Sequence, residues 1–526
     1  MGTYLNPGNS GFARILRDEY IDKTGLISIL NETIDTPRNL ICVSRPRRFG
    51  KSYAAQMLCA YYDKSCDSHK LFEHLETTAD PSYEKHINKY DVIYLDMTGI
   101  KPGSNSYKNL VPFVTAKLTK EISDAYPEVT VSDDLIGVLV ETVKHTGNKF
   151  IVIIDEWDAP IRENPELQRE YLEFLRSLFK NSGTTSKVFA AAYMTGILPI
   201  RKDGSQSAIS DFDEYTIITP SVFAPYVGFT EKEVQDLCEK HDVNFDLMKQ
   251  WYDGYSFKRV GSVYNPNSVM KAIRFDEFGS YWTQTSAANS LMKYISQDYN
   301  GLTKTIAELV GGVEVKVDTY GFANDLITFR SKDDVLTLLI HLGYLAYNSE
   351  TGTARIPNEE IRLEFQRAIR EVPHTATLQR VAECDQLFLD TLNQNEDAVA
   401  AQIEKIHAEE TSPLHYNKEA SLRSVIKLAY YTYKDHYLQW EELPAGVGYA
   451  DVVYLPKHDS EWPALVIELK WNQSAEGAID QILHKQYPDS LRDCGSDILL
   501  VGVNYDKDAP AGERKHHCKI IQVTKN

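Results

Sequence analysis

The sequence predicts an α/β protein that begins with a parallel sheet of about five strands. Three observations predict this class. Apolar runs alternate with helical patterns through residues 1–225, a strand–loop–helix unit occupies residues 39–62, and the apolar run at 150–156 ends in two acids. Near-continuous apolar strands separated by helices are typical of a parallel sheet that is covered on both faces.

Length and composition restrict the protein class. A chain of 526 residues predicts about two to four domains. Its 25% charged and 43% hydrophobic residues are ordinary for a soluble globular protein. We find neither an apolar run of membrane-spanning length nor a secretory signal, and seven scattered cysteines predict reduced thiols. These features predict a cytoplasmic protein without a membrane partner, and the net charge of −19 disfavours indiscriminate nucleic-acid coating but leaves room for a local basic groove.

The elements of the first domain, residues 1–225, follow in order. After the apolar run at the start of residues 39–62, further strands are predicted at residues 91–97, 150–156, 187–194 and 215–219. Helices are predicted between most of them, at residues 107–125, 133–145 and 165–180.

The loop in residues 39–62 closes on Gly50-Lys51-Ser52 before a helix, which is the order of a phosphate-binding loop. Backbone N–H groups at the helix N-terminus favour an anion. In this interpretation Lys51 contacts the β- and γ-phosphates and Ser52 ligates Mg²⁺. Arg45 stands where the motif has its first glycine, and the alternative is a basic surface loop that caps a helix. The predicted cofactor-binding residues of this stretch are Arg45, Pro46, Arg47, Arg48, Phe49, Gly50, Lys51, Ser52 and Tyr53.

The strand at residues 150–156 ends in Asp155 and Glu156. We expect Asp155 to support Mg²⁺ and Glu156 to polarise an attacking water, although acids also occur where strands simply meet solvent. Thr195 closes the next strand and is either a γ-phosphate sensor or part of a Thr-Gly turn. The sequence does not assign the arginine that would complete the site. The candidates are Arg162, Arg169, Arg201 and a residue of a partner chain. Since the partner chain could be a second copy, a homo-oligomer is one of the alternatives.

The middle of the chain differs in composition from the first domain. A helical lid region is predicted at residues 226–332, where Thr230 and Glu233 have capping-box spacing. A helix, a hairpin and a second helix predict a winged-helix-like module at residues 333–377. A helical connector and an α/β domain are predicted at residues 378–526.

The carboxy-terminal domain has its own acidic cluster. Two strands predicted at residues 447–455 and 464–470 carry Asp451, and Glu468 with Lys470. Residues two apart share a face of a strand, so a hairpin brings these side chains together. Two carboxylates that hold Mg²⁺ beside a lysine make a phosphodiester-cleaving site, and the alternative is an edge hairpin with a surface ion pair. Gln481 flanks the cluster and Glu419 offers a third acid.

With both clusters in view, the whole chain resembles bacterial and archaeal AAA-ATPase-like proteins that are fused to a PD-(D/E)XK nuclease-like domain. The family writes its phosphate loop RPRRFGKS, as residues 45–52 do, and its strand end Asp-Glu-aromatic-Asp, as residues 155–158 do. The family's acid, E-x-K pair and glutamine helix match Asp451, Glu468, Lys470 and Gln481, while Ala450 replaces the family's proline. The resemblance implies an ATPase core, a lid and a restriction-endonuclease-like tail.

These interpretations predict an ATP-hydrolysing protein coupled to a Mg²⁺-dependent nuclease-like domain that acts on DNA. The alternative is a nucleotide-dependent switch whose nuclease fold only binds nucleic acid or protein. A third interpretation is that the arginines of the loop bind an anion other than ATP.

Overall fold

The computed structural model describes residues 2–102, 107–129, 134–180, 182–200, 209, 211–282, 302–310, 312–322, 329, 331–370, 376–410, 426, 430, 437–445, 448–456, 462–484, 497–510 and 513–523. The chain divides into two compact units. One comprises Met1–Ala287 with Lys316–Glu364, and the other comprises Ala288–Val315 with Phe365–Asn526.

The first unit is built on a five-stranded sheet. Its strands are β1 (Leu40–Ser44), β2 (Asp91–Asp96), β3 (Phe150–Asp155), β4 (Phe189–Gly196) and β5 (Asp213–Tyr215). The helices of this part are α1 (Ser10–Ile15), α2 (Gly25–Asn31), α3 (Lys51–Tyr62), α4 (His69–Phe72), α5 (Tyr83–His86), α6 (Leu110–Ala125), α7 (Leu135–Thr146), α8 (Ala159–Glu163), α9 (Gln168–Phe179) and α10 (Ser182–Val188). Short 3₁₀ turns lie at Glu76–Ala79, Pro165–Leu167 and Ser221–Phe223.

The sheet has the order β2-β3-β4-β1-β5, and each of its strand pairs is parallel. The predicted α/β class with a parallel sheet is therefore confirmed. The carboxyl ends of β1, β3 and β4 meet at one edge, because Ser44 pairs with Gly196 and Ile154 pairs with Met194. The strand predicted at residues 215–219 is wrong, since β5 ends at Tyr215, and α10 occupies residues that the sequence analysis left without a helix.

Buried apolar side chains hold helices against this sheet. Strands β1, β3 and β4 are buried at every position, as their continuous apolar sequences predict. Leu118 and Ile122 of α6, Val138 of α7 and Leu175 of α9 belong to the same core cluster as Ile154 of β3. This core fixes the edge at which the strand ends meet.

A small mixed module follows the sheet. It contains the strands β6 (Phe229–Thr230), β7 (Tyr255–Phe257) and β8 (Gly261–Tyr264), and the helices α11 (Glu231–His241), α12 (Phe245–Tyr252) and α13 (Pro266–Phe275). The strands form an antiparallel sheet in the order β6-β8-β7, so the prediction of a purely helical lid is wrong here. Tyr255 and Phe257 of β7 and Tyr264 of β8 are buried, whereas Trp251 and Tyr252 belong to α12. The capping box of Thr230 and Glu233 is confirmed.

The predicted helix, hairpin and helix are present in that order. They are α15 (Lys332–Leu342), the antiparallel strands β10 (Ala346–Asn348) and β11 (Thr353–Arg355), and α16 (Glu359–Arg370). Before them come α14 (Leu302–Val310) and the two-residue strand β9 (Val315–Lys316). Ser331 caps α15 and Gly343 ends it with a φ of +87°.

Glu360 of α16 joins this segment to the module. Its side chain is buried and accepts hydrogen bonds from the Ser268 hydroxyl at 2.9 Å and from the Tyr281 backbone N–H at 2.6 Å. Burial raises the pKa of Glu360 to about 7, while these hydrogen bonds partly oppose the rise.

The second unit contains another five-stranded sheet. Its elements are α17 (Ala376–Leu392), α18 (Glu396–Glu410), β12 (Tyr437–Ala445), β13 (Gly448–Pro456), β14 (Ala464–Trp471), α19 (Ala475–His484), β15 (Ile498–Tyr505) and β16 (His516–Val523). The strand order follows the chain, with β14 and β15 parallel and the other neighbours antiparallel. Ile479 and Ile482 of α19 pack on one face, and Ile403 and Ile406 of α18 belong to the cluster on the other.

Within the described residues, no helix is long and apolar enough to cross a membrane.

The buried Glu360 predicts a pH-dependent stability. Its carboxyl group keeps its proton to higher pH in the folded chain than in the unfolded chain, so stability falls as pH rises from about 4.5 through about 7. One pKa unit corresponds to about 1.4 kcal/mol, so the loss is on the order of 3 kcal/mol. We expect Glu360→Gln, which cannot ionise, to flatten the dependence of melting temperature on pH between about 4.5 and 7.

The exposed Glu239 provides the control, since Glu239→Gln changes a surface acid of α11. Equal pH dependence in wild type and Glu360→Gln would contradict the prediction.

Candidate functional site: a phosphate loop and a second acidic cluster

The loop between β1 and α3 has the backbone shape that its glycine allows. Gly50 lies in the left-handed region with a φ of +89°, and an added Cβ would meet nothing within 4 Å. The first turn of α3 therefore begins at Lys51, with its free backbone N–H groups facing the space in front of the loop. The Ser52 and Tyr53 side chains are exposed at this end, and Tyr53 is 56% exposed.

Arg45 does not face that space. Its side chain is fully buried, donates to the backbone carbonyls of Ser44 at 3.0 Å and Tyr215 at 3.1 Å, and lies over the Phe257 ring at 5.4 Å. Burial lowers the pKa of Arg45 to about 10. The prediction that the Arg45 side chain binds the cofactor is thus wrong, because it supports the loop from below.

The next loop residues also contact the module. The Phe49 ring is buried and meets the Tyr255 ring edge-on at 5.4 Å, and the Arg48 guanidinium donates to the Tyr281 carbonyl. Pro46 packs closely against Gly343, because a Cβ added to Gly343 would lie 2.7 Å from the Pro46 ring. Arg47 is exposed, so among the three arginines of the loop Arg47 and Arg48 remain at the surface.

Lys51 meets Glu156 at the base of the site. The Lys51 amine is buried and lies 2.9 Å from the Pro46 carbonyl and 3.0 Å from a Glu156 oxygen. Arg162 holds the second Glu156 oxygen at 2.7 Å. Burial alone would raise the pKa of Glu156, but the charges of Lys51 and Arg162 outweigh it and lower that pKa.

Glu156 has a strained backbone. Its φ of +52° is in the left-handed region, which costs a residue with a side chain on the order of 1 kcal/mol. Such a conformation persists where the surroundings hold it. It turns the chain directly after β3, so the carboxylate reaches the loop.

Asp155 and Ser52 form a polar pair that fits a divalent cation. Asp155 is buried, burial raises its pKa to about 6, and Ser52 hydrogen-bonds to its side chain. Its Oδ1 atom has no hydrogen-bond partner among the described residues, and neither has the buried Thr195 hydroxyl on the neighbouring strand. One carboxylate and one hydroxyl, completed by substrate phosphates and water, is the kind of ligand set that Mg²⁺ uses.

The three arginine candidates lie in different surroundings. Arg162 is engaged by Glu156 and by Asp158, the latter at 2.9 Å. Arg169 is 90% exposed and pairs with Glu173 on its own helix. Arg201 lies outside the described residues.

A cavity of about 380 Å³ opens beside the loop. One wall consists of Gly50, Lys51, Ser52 and Glu156. The other walls come from distant segments, and the sequence analysis did not identify their residues: Tyr20, Ile21, Met57, Tyr226, Phe229, Met270, Lys271 and Arg274. Only Met57, on the helix after the loop, could have been expected from its position. The others reach the cavity through the fold, and no sequence spacing marks them.

The carboxy-terminal cluster is also brought together within its own unit. Strands β13 and β14 pair with Val452 opposite Ile467, and the Asp451 carboxylate accepts the Leu469 N–H at 2.9 Å. Lys470 lies 3.7 Å from Glu468. Gln481 of α19 donates to Glu468 and accepts from Lys470.

The residues predicted as metal ligands and acids of this cluster differ in their surroundings. Glu468 is 2% exposed, which is rare for a carboxylate. Glu419 lies outside the described residues. Among the residues that the structure describes, no group of three or more His, Cys, Asp or Glu side chains is arranged to hold an ion. A metal in this place would have to take its remaining ligands from substrate and water.

Among known proteins, a family model matches the first part of the chain, and one relative matches almost its whole length. The family model described as predicted AAA-ATPase matches residues 8–205. An Azotobacter chroococcum protein, described as an uncharacterized protein in the vnfD 5′ region, is 22% identical over 95% of this chain and 96% of its own.

Solved structures match more weakly. The Aeropyrum pernix ORC2 protein is 10% identical over 68% of this chain and 91% of its own, with a TM-score of 0.28. The A. pernix ORC1 protein in complex with DNA is 12% identical over 69% and 95%, with a TM-score of 0.22. C. elegans PCH-2 is 10% identical over 61% and 67%, with a TM-score of 0.20. TM-scores this low do not establish a shared fold or function.

The family match covers β1 to β4, the phosphate loop and the Asp155-Glu156 strand end. Residues 8–205 are therefore similar to the predicted AAA-ATPase family in the part of the chain that holds the phosphate loop and the acidic strand end.

Proposed function

We propose that the first unit binds ATP with Mg²⁺ in the cavity beside the phosphate loop and hydrolyses it. The observation that carries this proposal is the meeting of Lys51 and Glu156 at 3.0 Å, at the end of β3 and the start of α3. A buried lysine beside a glycine-ended loop suits a triphosphate, and a carboxylate next to it suits an attacking water. The cavity volume lies in the range of small-ligand sites.

The residues have distinct tasks in this proposal. The N–H groups at the start of α3 bind phosphate oxygens, with the helix dipole adding favourable potential. Lys51 leaves Glu156 and pairs with the β- and γ-phosphates. Apolar side chains such as Tyr20, Phe229 and Met270 offer a surface for the base.

Ser52 and Asp155 would hold Mg²⁺, which neutralises phosphate charge when bound. Thr195, buried beside Asp155 with an unsatisfied hydroxyl, is positioned on the neighbouring strand as a sensor of the γ-phosphate or its water. Glu156 accepts the proton of the attacking water.

The second unit supports a second proposed activity, Mg²⁺-dependent cleavage of DNA. The specific observation in its favour is the contact of Glu468, Lys470 and Gln481, with the Asp451 carboxylate bonded to the Leu469 N–H between Glu468 and Lys470. Carboxylates that bind a metal and a lysine that stabilises phosphorane charge are sufficient for this chemistry. The competing proposal is a nucleotide-dependent switch in which this unit binds nucleic acid or protein without cutting.

Substitution of Lys51 tests nucleotide binding. We expect Lys51→Ala to lower kcat/KM for ATP by at least about 100-fold, because the phosphates lose their buried cation. Binding of a fluorescent ATP analogue and phosphate release measure the two effects. Lys144→Ala, which removes a 65% exposed lysine, is the control. Unchanged affinity and turnover in Lys51→Ala would exclude this loop as the nucleotide site and favour another anion.

Substitution of Glu156 tests hydrolysis separately. Glu156→Gln keeps the shape but cannot accept a proton, so we expect ATP to bind while turnover falls about 100-fold or more. Glu163→Gln, a 48% exposed acid on α8, should behave like wild type. Full turnover in Glu156→Gln would rule out this carboxylate as the base.

The carboxy-terminal cluster is tested by nicking of supercoiled plasmid with Mg²⁺ or Mn²⁺. We expect Asp451→Asn and Lys470→Ala each to reduce nicking by at least about 100-fold. Asp508→Asn and Lys507→Ala, exposed residues after β15, serve as matched controls. Nicking that survives both cluster substitutions would come from a contaminant, and DNA binding without any nicking would favour the switch.

A further inference from the structure

We propose that Arg162 is a positioning residue, which braces the Glu156 carboxylate against the end of β4 so that it faces an attacking water. This inference rests on the proposed ATP hydrolysis. The arginine lies on α8, one turn after the strand end that carries both acids. Its guanidinium bonds Glu156 through one nitrogen at 2.7 Å and Asp158 through another at 2.9 Å.

Asp158 anchors the brace to the sheet. The Asp158 side chain is 1% exposed and accepts the backbone N–H groups of Ile197 at 3.3 Å and Leu198 at 2.9 Å, directly after β4. Burial alone would lower the pKa of Arg162, but the Asp158 and Glu156 carboxylates outweigh it and raise that pKa. The arginine therefore stays charged between two carboxylates, one of which is fixed by the backbone.

Trp157 also links the segment after β3 to the end of β4. Its backbone N–H donates to the Thr195 carbonyl at 2.9 Å. A Cβ on Gly196 would lie 2.6 Å from the Trp157 ring and 2.8 Å from Asp158, so the absence of a side chain at Gly196 lets the two strand ends approach. Glu156, with its left-handed backbone, is thus followed directly by two residues that are bonded to the end of β4 or to the residues after it.

The brace matters once a nucleotide is bound. Lys51 pairs with Glu156 in the present structure, and a triphosphate would take that lysine. The carboxylate would then face the negative γ-phosphate without its amine, and repulsion would turn it away. Arg162 is the cation that remains on Glu156, and it lies on the side away from Lys51, because it bonds the other carboxylate oxygen.

The step that this geometry serves is balanced. The water oxygen forms a bond to the γ-phosphorus, and the bond from that phosphorus to the β–γ bridging oxygen breaks, with the electron pair leaving on that oxygen. The Glu156 carboxylate takes the proton of the water. Arg162 keeps its proton throughout and bonds Glu156 and Asp158, so it acts through Glu156.

Arg162→Gln in the full chain tests the inference by separating turnover from binding. We expect kcat to fall about 10- to 100-fold, while KM and the dissociation constant for ATP change by less than about threefold. Arg162→Lys should recover part of kcat, because it keeps the charge but loses the planar guanidinium whose separate nitrogens bond the two carboxylates. Arg259→Gln, an exposed arginine between β7 and β8, is the control.

Three outcomes of the Arg162 variants decide the matter. A kcat loss with unchanged ATP affinity and partial rescue by lysine supports the brace. Wild-type kcat in Arg162→Gln, while Glu156→Gln is inactive, overturns it and leaves the proposed hydrolysis intact. Loss of ATP binding and melting temperature together, equal in the glutamine and lysine variants, overturns it in favour of a purely structural role.

If Arg162→Gln does not fold, Asp158→Asn releases the anchored end of the brace and must show the same loss of kcat at constant affinity. Inactive wild type, or full turnover in Glu156→Gln, removes the proposed function itself and is recognisable without any Arg162 variant.

Discussion

The burial of Arg45 under the phosphate loop is the constraint on which the rest of the first unit depends. A guanidinium with no ion-pair partner among the described residues is costly in a core. Here Nη1 donates to two backbone carbonyls and the group lies over the Phe257 ring, while Nε and Nη2 are buried without a hydrogen-bond partner among the described residues. These partners belong to β1, the end of β5 and the module strand β7. One side chain therefore joins the loop, the edge of the sheet and the module, and the loop takes its shape from packing rather than from a first glycine.

Beside that support, the strand ends at β3 and β4 are tied by polar contacts of unusual density. Asp158 binds backbone amides after β4, Trp157 binds the end of β4, and Arg162 links Asp158 to Glu156. The charges are close to balanced, because two cations (Lys51 and Arg162) face two carboxylates (Glu156 and Asp158). Asp155 stands apart: it is buried, burial raises its pKa, and its Oδ1 atom has no hydrogen-bond partner among the described residues.

Local patterns were sufficient for the elements that apolar runs and caps specify. They predicted the parallel strands, the capping box at Thr230 and the hairpin that aligns Asp451 with Glu468. They failed for β5, whose pairing with β1 and not its own sequence decides where it ends, and for the module, whose aromatic strands are too short to show a period. Arg45 was misassigned because motif spacing places a residue in the loop but does not say toward which side it points.

By itself, the sequence determined the local groups of reactive side chains. These are a lysine and serine after a glycine, two acids at a strand end, and an acid with an E-x-K pair. Each group depends only on neighbours along the chain or on strand periodicity. The tertiary structure alone decided which of these groups meet. Lys51 faces Glu156, Asp158 binds the amides after β4, and Tyr20 shares a cavity with Phe229 because parallel strands bring their carboxyl ends to one edge and the module closes over it. Contacts between residues far apart in sequence are set by packing, and no local pattern carries them.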